Sequence, residues 1–169
     1  MKSISTCGVL ALTMLCGCTI PQYRQADGPR SALLKFPDHK NTLNQTIEFN
    51  AFTNANCEPG PQDGQLAFFN SFRKLPEPVR VQVDKRLYIR QTYSRAGAGS
   101  NLVSCMSMAS FIPEAGKTYS LSTHYVVEQS SHLVPILYSV SCEMNIIDAA
   151  NGIQVATYET LPACVPPKR

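Results

Sequence analysis

The chain has 169 residues, 44% of them hydrophobic and 16% charged, with a formal net charge of +3. That length suits one globular domain; the charge is too balanced for a basic nucleic-acid arm and the composition too apolar for an intrinsically disordered chain. Twelve Pro, nine Gly and no Trp predict many turns and little long helix, while seven Cys raise the question of compartment.

The first eighteen residues address the compartment. Lys2 supplies a positive start, and Ile4 to Leu15 form an uncharged, mostly apolar stretch. Crossing a ~30 Å hydrocarbon core takes about 20 apolar residues, so this shorter stretch reads as the hydrophobic region of a signal peptide. It ends in Leu15-Cys16-Gly17-Cys18. This resembles the bacterial lipobox, in which an apolar residue and two small residues precede the Cys that receives lipid. The match falls on Cys18, because Cys16 as the lipid site would put Leu15 where a small side chain is needed. The resemblance implies a signal peptide over 1–17 and a mature chain starting at Cys18. Its several acyl chains would anchor it stably where one alone would not. Thr19 rather than Asp follows the lipid site, which points to the outer membrane with the domain in the periplasm. Cleavage takes Lys2 away and leaves a formal charge of +2.

Cys7 and Cys16 leave with the signal and Cys18 takes the lipid, so Cys57, Cys105, Cys142 and Cys164 remain. An even set in an oxidising compartment predicts two disulfides. Three pairings are open. Cys57–Cys105 with Cys142–Cys164 is favoured, since the second pair flanks a predicted hairpin. Zinc does not suit these residues: CxxC and HxxxH spacings are lacking, and His39, His124 and His132 lie apart from the cysteines. Neither metal nor cofactor is expected.

After Cys18, residues 19–30 are polar with two Pro and one Gly and read as a flexible tether, which leaves 31–169 as one domain. The domain opens with Ser31 to Phe36. Ile47, Phe49 and Ala51 then alternate with Glu48, Asn50 and Phe52, a strand pattern. Asn54 to Gly64 carries two Pro, two Gly and Cys57 and reads as a loop, followed by the apolar run Leu66 to Phe69. Val79, Val81 and Val83 alternate with Arg80, Gln82 and Asp84, and Leu87 and Ile89 alternate with Tyr88 and Arg90. These predict two half-buried strands separated by a turn at Asp84-Lys85.

Gly97 to Ser100 breaks the pattern, Leu102 to Ile112 is β-like, and Pro113-Glu114-Ala115-Gly116 has the chemistry of a turn. Tyr119, Leu121, Thr123, Tyr125 and Val127 share one face, opposite Ser120, Ser122 and His124. Ile136, Tyr138, Val140, Cys142, Met144 and Ile146 share another. Asp148 to Gly152 reads as a hairpin loop, with Ile153, Val155 and Thr157 returning. Seven or eight strands without a helical stripe predict an all-β, antiparallel β-sandwich, with a small barrel as the alternative.

Motifs of catalysis are lacking: there is no GxSxG, HExxH, phosphate loop or GxGxxG. His124 and His132 read as surface residues. Glu58 and Asp63 share a loop, where acids are usually solvated. Residues 73–95 hold seven basic side chains against Glu77 and Asp84. Such a basic strand pair suits anionic headgroups, cell-wall polymer or an acidic partner, although cations also guard strand edges against aggregation.

YRQADGPRSALLKF over 23–36, the mid-chain Cys105, FIPEAGKTYSL over 111–121 and then Cys142 resemble a group of small proteobacterial outer-membrane lipoproteins. Their recurring pattern is a Tyr-Pro-Gly-rich lead into Ala-x-Leu-x-Phe, then Phe-x-Pro-x-Ala-Gly-x-x-Tyr. The family implies a β-rich periplasmic domain and no assigned activity. The expected function is therefore non-catalytic: a membrane-anchored lipoprotein that binds a protein or envelope component, with Arg80, Arg86, Arg90 and His132 as candidate contacts and no nucleic acid as partner. The alternative is an inhibitor or immunity lipoprotein acting on a hydrolase, with Gln129–His132 as its loop.

Overall fold

The computed structural model describes residues 21–38, 44–70, 72, 76–96, 102–129 and 138–157. Nine strands run through them: β1 Ala32–Lys35, β2 Gln45–Phe52, β3 Gly64–Phe69, β4 Val79–Val81, β5 Leu87–Ala96, β6 Leu102–Phe111, β7 Thr118–Gln129, β8 Tyr138–Asp148 and β9 Gln154–Thr157. They form a four-stranded sheet, β3-β2-β5-β6, and a five-stranded sheet, β4-β1-β7-β8-β9. Pairing is antiparallel except between β1 and β7, which run parallel. An all-antiparallel pattern therefore fails at that one pair.

Alternation builds the core. On the four-stranded sheet Ile47, Phe49, Ala51, Ile89 and Tyr93 point inward; Leu34, Val81, Tyr119, Leu121, Met144 and Ile146 do so on the five-stranded one. All belong to a single buried cluster. Rings interleave across it: Phe36, just past β1, lies 5.6 Å from Phe49 and 6.2 Å from Phe69, and Phe111 meets Tyr119 edge-on at 4.8 Å.

Two expectations about pairing need correction. The basic segment is not a strand pair, because β4 pairs with β1 in one sheet while β5 pairs with β2 and β6 in the other. Val79, Val81, Leu87 and Ile89 all read as inward because both sheets face one core. The chain changes sheets at Asp84, whose positive φ of 63° is tolerated by Asp, and Arg30 Nη2 bonds its carboxylate at 2.9 Å.

The second correction concerns the cysteines. Cys105 on β6 is joined to Cys142 on β8, with Cα atoms 5.8 Å apart. This excludes both Cys57–Cys105 and Cys142–Cys164. The hairpin-flanking rationale fails because β8 packs on β6 of the other sheet, which brings a more distant Cys closer. Cys57 is also disulfide-bonded; Cys18, Cys164 and His132 lie outside the described residues.

The segment read as a tether is docked from Pro21 onward. Gln65 N donates to Pro21 O at 2.9 Å, Tyr23 N to Gln65 O at 3.0 Å, and Ala26 N to Arg80 O at 3.1 Å. Tyr23 is only 7% exposed and part of the core. The segment thus spans from β3 of one sheet to β4 of the other and closes that side. Gly64 makes the approach feasible: a Cβ there would stand 2.7 Å from Gln22 C and 2.8 Å from Tyr23 N.

Two outcomes follow. Replacing Cys105 and Cys142 together by Ala should destabilise the domain by about 3–4 kcal/mol, the chain-entropy figure for a separation of 37 residues; denaturant titration measures it, and mass mapping of the unreduced protein should recover the 105–142 cross-linked peptide. Gly64→Ala should cost roughly 1–3 kcal/mol by overpacking. It should also make residues 21–30 selectively sensitive to limited proteolysis.

Candidate binding face

Inward side chains on β5 are odd-numbered, so Tyr88, Arg90 and Thr92 point away from the shared core. The register sets them in rows across the outer face of the four-stranded sheet. Phe52, Tyr88 and Ser110 form one row; Gln65, Asn50, Arg90 and Met108 the next; Phe68, Glu48, Thr92 and Met106 the third. Arg90 therefore has Phe52 and Glu48 as diagonal neighbours on β2.

The Arg90 guanidinium carbon lies 4.9 Å from the Phe52 ring centroid, within the range where a cation is attracted to the ring quadrupole. Burial lowers the pKa of Arg90 and the Glu48 carboxylate opposes the shift; an arginine stays charged throughout. Its Nε is buried and has no hydrogen-bond partner. Glu48 Oε1 accepts from Asn50 Nδ2 at 2.9 Å and Gln65 Nε2 at 3.2 Å, and Gln22 Nε2 donates to Gln65 Oε1 at 3.1 Å. A polar chain thus links the docked N-terminal segment to the surroundings of Arg90.

The loop after β2 reaches onto the same face. Asp63, expected to be solvated, is buried and holds the loop closed, its Oδ2 accepting from Gly60 N at 2.8 Å and Thr53 Oγ1 at 3.3 Å. Asn54 and Glu58 exchange two further bonds, and Cys57, at φ 56°, lies with its sulfur 3.7 Å from Met108 Sδ. Met108, under Cys57, is buried although it faces outward, and so are Phe52, Asn50 and Ser110.

Arg86, whose Nη1 bonds Ser110 Oγ at 3.1 Å, and Met106, at 54% exposure, are exposed, while Arg90, Tyr88, Thr92, Glu48 and Phe68 are half-buried. The fold thus sets Arg86 and Arg90 on one face, with Tyr88 between them, and separates them from Arg80, which is exposed on β4 of the other sheet. Of the alternative loop Gln129–His132, residues 130–132 lie outside those described. His124 is exposed on β7, as expected. Sequence reading missed Phe52, Glu48 and Met106. The available signal was apolar residues at both parities in 102–112, which a strand with one solvated face does not need.

Between the sheets sits a second polar group. Gln91, fully buried, pairs in register with Ser107 and faces Tyr125 of β7, whose hydroxyl also has Thr123 beside it. Burial pushes the Tyr125 pKa up to about 12. Among the described residues, no group of three His, Cys, Asp or Glu side chains is arranged to hold a metal ion.

Tyr125 makes stability pH-dependent. The native state keeps its proton above pH 10 while the unfolded chain loses it, so the unfolded state binds fewer protons and stability falls as pH rises from 10 towards 12. The slope is at most about 1.4 kcal/mol per pH unit for one proton. Melting curves of wild type and Tyr125→Phe between pH 9 and 11 should show a shallower decline in the variant. No family model, curated protein or solved structure matches the chain, so the chemistry of these surfaces is the basis for assigning a role.

Proposed function

We propose that the chain is a lipoprotein of the outer membrane, anchored through Cys18 after removal of residues 1–17, whose periplasmic domain captures a protein or other envelope component without catalysis. The capturing surface is the outer face of the four-stranded sheet at Arg86, Arg90 and Met106. In this reading the two sheets close as a β-sandwich held by two disulfides. Cys57 pairs with Cys164, the pairing left among the four mature cysteines once Cys105 and Cys142 are joined.

The observation that carries the reading is Arg90. A cation set on an aromatic ring, with no hydrogen bond from Nε, on one face with an exposed arginine and an exposed methionine, offers charge and apolar contact on a single surface. Arginine and aromatic or methionine side chains are the residue types enriched where proteins bind one another.

The test compares wild type, Arg86→Gln/Arg90→Gln and Arg80→Gln in pull-downs from crosslinked envelopes. The double variant should lose the captured partner and the single one should keep it. Capture by wild type should weaken with salt, since the Debye length falls from ~10 Å at 0.1 M to ~3 Å at 1 M. Identical capture by all three proteins at both salt concentrations would overturn the assignment. Fatty-acid labelling of wild type and Cys18→Ser tests the anchor separately, and equal label in both would refute it.

A further inference from the structure

The anchor and the fold together leave the domain almost no reach. Pro21 is already fixed to the domain, its carbonyl accepting from Gln65 N at 2.9 Å, and the chain stays pinned through Tyr23, Arg24 and Ala26. Only Thr19 and Ile20 separate it from Cys18. Even fully extended, the three steps from Cys18 to Pro21 cover about 10–11 Å, and the polar headgroup layer is itself about 5–7 Å deep per leaflet.

We infer that the edge of the domain where residues 21–26 lie between β3 and β4 rests on the headgroup layer of the membrane that holds its lipid. This deepens the lipoprotein reading and depends on it. The chemistry of the edge suits phosphate headgroups. Arg24 and Arg80 are both exposed and joined through the entry segment, with Arg24 N bonded to Gln62 O, Ala26 N to Arg80 O and Arg80 N to Gln25 Oε1. The nearby Arg30 is paired with Asp84 and adds no net charge. Basic side chains at a lipid surface are attracted to anionic headgroups. Held there, the domain meets partners embedded in or lying on its own membrane. A long tether would instead let it search the depth of the periplasm.

The chain has no Trp, so one introduced indole reports a single position. Lipidated Pro21→Trp is placed in vesicles of phosphatidylethanolamine and phosphatidylglycerol carrying a nitroxide-headgroup lipid. It is compared with Val155→Trp on β9, four strands away from β4 in the same sheet, or about 19 Å. Flotation with the vesicles is scored on the same samples. Fluorescence of the Pro21→Trp variant should be quenched several-fold more than that of Val155→Trp. A Gly-Ser insertion between Ile20 and Pro21, or Arg24→Gln with Arg80→Gln, should reduce the difference. Gln22→Trp, also exposed, serves as a second reporter should Pro21→Trp fold poorly. Protein that floats but shows equal quenching at both positions overturns the lipid-facing edge and leaves the anchor standing. Protein that does not float overturns the anchor, and the edge falls with it.

Discussion

Near one end, the two sheets are clamped at adjacent positions, once covalently and once by stacking. Cys105 and Tyr93 are register partners on β6 and β5, and Cys142 and Tyr125 are register partners on β8 and β7. The disulfide joins the two cysteines, while the two tyrosine rings stack with centroids 4.5 Å apart. Four strands are thereby fixed relative to one another at one level of the core. A slip of one residue exchanges a strand's faces, so a slip of β6 or β8 would turn its cysteine away from the core, which the disulfide opposes. One step further in, Gln91 and Ser107 occupy the next inward pair of the same two strands; Tyr125 lies alongside Gln91, while the Gln91 amide and Ser107 Oγ are buried without a hydrogen-bond partner.

Away from the clamp, the sheets are closed by the entering chain. β3 and β4 each stand last in the order of their sheet, and the segment from Pro21 to Ala26 bonds to both. Exposed strand edges invite pairing with other chains, and here a segment of the same chain occupies them while Tyr23 fills the core behind. Burial raises the Tyr23 pKa, and the Asp63 carboxylate adds to the shift, so the loop acid and the entering chain belong to one arrangement. Closing the fold and fixing the course of the entering chain from Pro21 onward are therefore consequences of the same few hydrogen bonds.

The strands themselves were legible in the sequence because a half-buried strand must alternate. Val79 and Val81, Leu87 and Ile89, and the face from Tyr119 to Tyr125 came out at the positions their period of two requires. Partners were not legible. Alternation states which side of a strand is apolar and says nothing of which sheet it joins, so β4 and β5 looked like a hairpin although the positive φ at Asp84 turns the chain from one sheet to the other. The cysteines misled for the same reason: sequence proximity favoured Cys142 with Cys164, whereas packing of β6 on β8 brought Cys105 to Cys142. The polar composition of 19–30, with Pro and Gly, predicted a flexible tether, but the backbone of Pro21 to Tyr23 lies against Gly64, a contact across the chain that composition does not carry.

The outer face shows where a sequence rule yields to a second layer of structure. A sheet with one solvated face should carry polar residues on it, yet Phe52, Met106 and Met108 all point outward. Two of them, Phe52 and Met108, are buried with Asn50 and Ser110 beside them, and the loop held by Asp63 sets Cys57 against Met108. The third, Met106, is left exposed at the row next to Arg90. A cation in such a place loses water from part of its surface, and the Phe52 ring and Glu48 carboxylate offset that loss only in part, which is why the pKa of Arg90 is lowered despite its acidic neighbour. An anionic group arriving from outside would complete the compensation, whereas a bare hydrocarbon surface would increase the desolvation. The binding proposed for this face therefore calls for a partner that brings both negative charge and apolar surface.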